Sequence, residues 1–380
     1  MSEWETLPLG NVLTFQRGFD ITKAEQSDGP YWVISSSGPK STNEQFKVEG
    51  PGVIIGRKGS LGTVFYSGAN YWPHDTTLWV KDFHGNNPKF AYYFLQTMGL
   101  ERLDAGSSNP SLNRNHIHTI PVLWPSPPVQ RRIAGILSAY DDLIENSQRR
   151  IKILEEMARR LYREWFVHFR FPGHEDCRLV ESPLGEIPEG WEVKGLGEIA
   201  DNFDRLRKPL SKIQRADLQG PYPYYGAAKV FDYVNDFIFD GEYLLMAEDG
   251  SVITSDRAPV LQLVNERFWS NNHTHVLRGR LPCSTHYLYL GLLEINISPY
   301  ITGAAQPKIT QENMNRIPFV CAPASIHHEF DNLVEPIVRQ TQVLQGQIQN
   351  LRRTRDLILP LLLSGQIDVE AIPGAVLSKP

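Results

Sequence analysis

Residues 109–121 read NPSLNRNHIHTIP, and residues 306–318 read QPKITQENMNRIP. Pro110, Leu112, Ile117, Ile120 and Pro121 fall on Pro307, Ile309, Met314, Ile317 and Pro318 at one constant offset. The same offset carries Ile133, Tyr140, Leu154 and Leu161 onto Phe330, Ile337, Leu351 and Ile358. Upstream it shrinks in steps: Gly59-Ser60 falls on Gly250-Ser251, Gly29-Pro30-Tyr31 on Gly220-Pro221-Tyr222, and Trp4-Glu5 on Trp191-Glu192. Stepwise changes of offset are what insertions in surface loops leave between two copies of one unit. The chain is a tandem duplication.

Each copy has a Gly/Pro/aromatic-rich portion first and a long helix second. Short apolar runs bounded by Gly, Pro and Asn (YWVIS, GVIIG, TVFYS and TTLWV, then EYLLM, APVLQLV and HTHVL) read as strands. Segments 88–103 and 285–296 read as helices. In the long helix of the first copy Ile133, Tyr140, Ser147, Leu154 and Leu161 recur every seven residues, with Leu137, Ile144, Ile151, Ala158 and Trp165 four residues on. The second copy repeats this with Phe330, Ile337, Leu344, Leu351 and Ile358, and with Val334, Thr341, Ile348, Arg355 and Leu362. A sustained 4-3 repeat predicts a coiled-coil seam, in which the polar Ser147, Thr341 and Arg355 trade stability for register. The helices could pair with each other or with another protein; equal lengths, each after its own globular portion, favour pairing within the chain. Residues 130–165 would span roughly 50 Å at about 1.5 Å per residue, or about one and a half turns of B-DNA at roughly 34 Å per turn.

A chain of 380 residues exceeds the size at which single cores stop growing, so at least two domains are expected. With 41% hydrophobic and 21% charged residues it can bury a core and stay soluble. The N-terminus lacks a basic stretch followed by an apolar run, and LILPLLL is too short to span a bilayer, which predicts a cytoplasmic location with no membrane. Three widely spaced cysteines, Cys177, Cys283 and Cys321, contain no CxxC pair and fit reduced thiols better than a zinc ribbon or a disulfide framework. A net charge of −5, with no basic excess in either half, means that any nucleic-acid surface must be a local patch.

The duplicated order of globular portion and helix, the stretches GVIIGRKGSLGTV and EYLLMAEDGSV, the paired NPSLNRNHIHTIP and QPKITQENMNRIP, and the helix ends LYREWFVHF and LPLLLSGQID together resemble the specificity subunit of type I restriction-modification enzymes over nearly the full chain. The resemblance implies an α/β (α+β) architecture with pseudo-twofold symmetry. Target-recognition domains at 1–125 and 178–322 are joined by two long antiparallel coiled-coil helices, at 126–177 and in 323–380 with its C-terminal tail. It implies a non-catalytic reader of double-stranded DNA with a bipartite, asymmetric site, one half per recognition domain, with the helices setting the gap. Two methyltransferase subunits would dock on the helical regions and flip out an adenine for N6 methylation, and restriction/translocase subunits would join them. S-adenosylmethionine, ATP and Mg2+ are then expected on the partners, and no cofactor on this chain.

DNA read as a duplex demands side chains at base edges in the major groove, Arg for guanine and Asn or Gln for adenine. Candidates in the first copy are Arg57, Lys58 and Ser60, in a turn between two apolar runs, with Asn109, Asn113 and Arg114, and the matching positions of the second include Gln306, Lys308 and Gln311. Arg17, and Arg207, Lys208, Arg215, Tyr224, Tyr225 and Lys229 in RLRKPLSKIQR and PYPYYGAAKV, resemble recognition-domain motifs of the family. Glu248-Asp249 stands where the first copy has Arg57-Lys58, so two different half-sites are expected. Arg149, Arg150, Arg159, Arg160, Arg352 and Arg353 are candidates for a DNA-facing helix side, or equally for solvated flanks of the coiled coil.

Catalytic patterns are incomplete. The only Pro-Pro, in Ser126-Pro127-Pro128-Val129, lacks the Asn/Asp and aromatic residues of an adenine methyltransferase and reads as a helix start. Gly195-Leu196-Gly197-Glu198-Ile199-Ala200 reads as a turn, because no adequate strand precedes it. His116-x-His118 and His273-x-His275 would each face one way on a strand, yet no carboxylate or cysteine lies at a supporting spacing for a metal. Glu192-Val193-Lys194 does not complete a nuclease site, and no phosphate-binding GxxxxGK[ST] loop is present. A scaffold without sequence reading and a stand-alone nuclease are the competing, disfavoured readings.

Overall fold

GVIIG, the strand Gly52–Gly56, is buried along its whole length. An unbroken apolar run of this kind belongs in the middle of a sheet covered on both faces. In the computed structural model, which describes residues 4–103, 111–303 and 306–372, that strand lies inside a four-stranded antiparallel sheet. The strand order is Thr14–Arg17, Thr77–Asp82, Gly52–Gly56, Val64–Ser67. Beside it Tyr31–Ser35 pairs antiparallel with Gly38–Asn43 and parallel with Tyr71–Pro73, and Trp4–Pro8 pairs with Pro121–Pro125.

The second copy repeats this set strand for strand. Ala200–Asn202, Thr274–Gly279, Glu242–Ala247 and Leu261–Asn265 form its four-stranded sheet. Gln219–Tyr225 lies between Val230–Val234 and Trp269–Ser270 with the same antiparallel and parallel senses, and Glu192–Gly195 pairs with Pro318–Cys321. A hairpin of Leu179–Ser182 and Gly185–Pro188 is added in the second copy. The duplication read from the sequence is therefore a duplication of sheet topology, and the mixed helix and strand composition agrees with the expected class.

The chain divides into two compact units, Met1–Gln148 with Gly346–Pro380, and Arg149–Gln345. Each contains one copy of this set of sheets and part of both long helices, Pro127–Tyr162 and Ala324–Leu363. Pro127 and Pro128 open the first long helix, where a missing N–H costs nothing. Every predicted seam position on both helices is buried or half-buried, including Ser147, Thr341 and Arg355. Thr341 returns its hydroxyl to the Ile337 carbonyl at 3.0 Å.

In the first unit the two helix segments run in opposite directions. Arg355 donates to Asp141 at 2.6 Å, and Arg132 donates to the Val369 carbonyl at 3.2 Å. The other oxygen of Asp141 accepts from Tyr93 at 2.5 Å, so the charged seam residue is tied to the domain's own helix Pro88–Thr97. Ile133, Ala134 and Leu137 share one core with Leu362, Leu363 and Val369, which explains why the second helix ends in LPLLLSGQID.

In the second unit the helix end LYREWFVHF turns through a π-type segment, Arg163–Val167, and supplies core. Tyr162, Trp165 and Phe166 contact the Phe330 ring with centroids 6.1, 5.8 and 4.9 Å apart, and Phe166 also meets Tyr287 and Trp191. Arg159 and Arg163 both bind Glu294, at 3.0 and 2.7 Å. No helix among the described residues is long and apolar enough to cross a membrane.

Candidate nucleic-acid interface

The recurring segment does the same structural work twice. In the first unit Ser111 bridges to Lys58, and the Leu112 amide donates to the Arg57 carbonyl at 2.9 Å. In the second, Lys308 bridges to Asp249, and the Ile309 amide donates to the Glu248 carbonyl at 2.8 Å. Leu112 and Ile309 are buried, and a short capped helix follows each. The Asn113 side chain accepts from the Asn115 amide at 3.0 Å, and the Thr310 hydroxyl accepts from the Asn313 amide at 3.2 Å. The segment thus clamps the end of a buried strand, and the residues just beyond that strand are held at one edge of each domain.

At this edge the first unit is rich in cations. The turn after Gly56 is pinned by the Arg57 and Lys58 amides, which both donate to the Thr76 carbonyl, at 2.8 and 3.1 Å. Gly59 sits at φ +76 and Gly250 at φ +77, a left-handed conformation that only glycine adopts cheaply, which is why Gly-Ser recurs there. Arg17 donates to Asp75 at 3.0 Å. Burial, then the neighbouring Arg17 charge, lowers the Arg57 pKa against the pull of Asp75. Arg57 Nη1 is enclosed and has no hydrogen-bond partner among the described residues. Lys58 is half-buried, and Ser60 and Arg114 are exposed. Asn109 lies outside the described residues.

The second unit carries carboxylates at the same places. Glu248 stands for Arg57, and Asp204, one strand away, for Arg17. Glu248 accepts from Arg207 at 2.6 Å and pairs with Lys308 at 3.0 Å. Arg207 also donates to the Thr274 carbonyl at 2.7 Å and lies 3.5 Å from Asp204. Asp204 faces His275 Nδ1 at 2.6 Å and accepts from the Val276 amide at 2.9 Å, while His275 Nε2 meets the Ile309 carbonyl at 2.9 Å. Burial works to raise both carboxyls. For Asp204 the His275 contact, and for Glu248 those of Arg207 and Lys308, outweigh it and hold both low.

Asp204, Glu248 and His275 each offer a ligand atom within 4.8 Å of the others. The sequence reading found no carboxylate near His273-x-His275 because these acids arrive from distant parts of the chain. With Arg207 and Lys308 already on the two carboxylates, the group is a closed ion-pair network and not an open cation site. His273 pairs separately with Asp249 at 2.8 Å. His116 and His118 lie on the helix Arg114–His118 and not on a strand, so a spacing of two turns them apart; His118 Nε2 accepts from the Phe15 amide at 3.0 Å.

Several predicted contacts prove to have internal roles. Arg215 donates to Asp232 and to the Leu210 carbonyl while its guanidinium covers the Tyr224 ring. The Tyr224 hydroxyl accepts from the Leu210 amide, and the Tyr225 hydroxyl donates to Glu266. Both tyrosines are buried, and Arg207 is spent on Glu248. Their residue types suit DNA, but their polar atoms are satisfied within the domain. Lys208, Lys229, Gln306, Lys308 and Gln311 keep exposed side chains. Sequence reasoning missed Asp75 and Asp204, which no local pattern marks. On the long helices Arg159 is bound to Glu294, Arg160 pairs with Glu156, and Arg149, Arg150, Arg352 and Arg353 are exposed.

A sequence model described as Type I restriction modification DNA specificity domain matches residues 1–156 and 188–352, one match per copy. The chain belongs to this family. Among its specificity-subunit relatives, the MjaIX subunit of Methanocaldococcus jannaschii is 26% identical over 302 residues, 75% of this chain and 70% of that one. The EcoDI subunit of Escherichia coli is 21% identical over 391 residues, covering 95% and 87% of the two chains. A crystal structure of the type I restriction-modification system S subunit from M. genitalium superposes with a TM-score of 0.66 at 16% identity, over 95% of this chain and 96% of that one. The fold is thus that of a type I specificity subunit, and the chain serves such a system as its specificity component.

Proposed function

We propose that each unit reads one half of a bipartite, asymmetric DNA site, and that the two long helices, paired antiparallel as a coiled coil with pseudo-twofold symmetry, set the gap between the halves. The chain carries no catalysis. Methyltransferase subunits that bind S-adenosylmethionine dock on the helical regions, and restriction subunits that use ATP and Mg2+ complete the assembly in the cytoplasm. One observation carries this reading: the same topology appears twice with opposite charge at the equivalent edge, Arg57 and Arg17 in one unit, Glu248 and Asp204 in the other. A scaffold has no need of two such edges; a reader of two different half-sites does.

The test is sequencing that detects N6-methyladenine in genomic DNA from cells with and without this chain, the methyltransferase subunit being present in both. Loss of methylation from a single two-part motif with a fixed gap is the expected result. An unchanged map, with the partner shown to be active, would return the scaffold reading to the front.

A further inference from the structure

We infer that Arg57 is a specificity-determining residue that reads a guanine in the half-site bound by the first unit. The inference rests on the DNA-reading function proposed above and assigns a base to one side chain.

Three observations support it. The backbone of Arg57 is fixed, since its amide and that of Lys58 are held by the Thr76 carbonyl and its own carbonyl by the Leu112 amide. The charges of Arg17 and Asp75 both act on its guanidinium, but the Asp75 oxygens are taken by Arg17 and by His74 Nδ1, each at 3.0 Å. Among the described residues no carboxylate pairs with Arg57, and its Nη1 is enclosed without a partner. An enclosed donor with nothing to bind is costly unless a ligand supplies the acceptor.

A guanidinium donates only, and its fork fits two acceptors side by side. In the major groove guanine alone presents such a pair, N7 and O6, whereas adenine places one donor beside one acceptor. A phosphate also offers paired oxygens. The edge already provides the exposed Ser60 and Arg114 for that role, while Arg57 is half-buried and its backbone is held in one place. At the equivalent position of the second unit Glu248 is saturated by Arg207 and Lys308, so no guanine is read there in this way.

The experiment expresses Arg57→Gln and Arg57→Lys chains together with the methyltransferase subunit and maps N6-methyladenine across a genome. For Arg57→Gln the expected result is a loss on the order of 10- to 100-fold at the wild-type motif, with one guanine relaxed or replaced by adenine in one half-site and the other half-site unchanged. Arg57→Lys, which keeps the charge but loses the fork, is expected to relax the same guanine. Methylation that falls evenly with every motif position intact, or full rescue by lysine, overturns the assignment and makes Arg57 a phosphate contact. Should Arg57→Gln fail to assemble, the lysine variant alone decides. A wild-type chain that directs no motif would instead overthrow the DNA-reading function itself, a distinct outcome.

Discussion

His327 and Gln130 occupy equivalent positions in the two units and solve one packing problem differently. Gln130 donates to the Asn86 side chain and the Pro125 carbonyl at 2.7 and 2.8 Å, and Trp124 donates to the same Asn86 oxygen at 2.8 Å. In the second unit the matching residues are Cys283, Cys321 and His327. The thiols lie 3.8 Å apart, and His327 Nε2 is 3.6 Å from Cys283 Sγ. Between the Phe166 and Tyr287 rings the imidazole is buried, and burial lowers its pKa to about 4. Unfolded, the ring takes up its proton near 6.5. The unfolded state therefore binds more protons between these values, and stability present above pH 6.5 is lost as pH falls toward 4. The shift corresponds to about 3 kcal/mol. Asp204 and Glu248, held below 3.8 and 4.5, add a loss at lower pH, as their carboxylates are protonated on passing through the folded values. We predict that urea unfolding of the second unit weakens between pH 6.5 and 4, and that His327→Gln flattens that interval while leaving the more acidic loss intact. The same pH slope in the variant would remove His327 from the account.

At the scale of elements, the repeated Leu9-Gly10 and Leu196-Gly197 open two equivalent short helices, and neither glycine has room for a side chain. A Cβ on Gly10 would sit 2.8 Å from His118 Cβ, and one on Gly197 would sit 2.8 Å from Asn315 Cβ. Each short helix is also hung on the recurring segment, with the Leu9 amide donating to Ile120 and the Leu196 amide to Ile317, both at 2.8 Å. We predict that Gly197→Ala destabilises the second unit by about 1–3 kcal/mol, the usual cost of overpacking, seen as a lower urea midpoint; a neutral result would mean that the helix Gln311–Asn315 yields freely. Gly197 shows what the sequence could and could not tell. The repeat, the strands around GVIIG and EYLLM, and both long helices were legible, because they rest on periodicity and on residues whose burial is their role. Arg207, Arg215, Tyr224 and Tyr225 had the right chemistry for DNA, but the acids and carbonyls that satisfy them come from elsewhere in the chain. Residue type announces a capacity to bond; only the fold says whether that capacity is already spent.

For the whole molecule the decisive quantity is charge. A net charge of −5 sets the chain against a polyanion. Many of the domain arginines are neutralised in place: Arg17 by Asp75, Arg207 by Glu248, Arg215 by Asp232, Arg267 by Asp240 and Arg280 by Asp201. The sequence disclosed the net charge but not this pairing, since each ion pair joins residues far apart in the chain. A reader built this way gains little from the release of counterions and must draw on a few well-placed contacts, such as those near Arg57, Lys58 and Lys308. Each neutralised phosphate contributes about 0.9 to the slope of log affinity against log salt. The isolated chain is therefore expected to bind duplex DNA weakly, with a slope of about −2 to −4. The assembly with methyltransferase subunits should show a steeper slope, the difference counting the phosphates that the partners contact. Titrating the chain alone and the assembly against one duplex over a range of salt measures both. A steep slope for the chain alone, near −8 or beyond, would require a broad cationic surface that its paired arginines do not provide, and would move the reading surface away from the edge around Arg57.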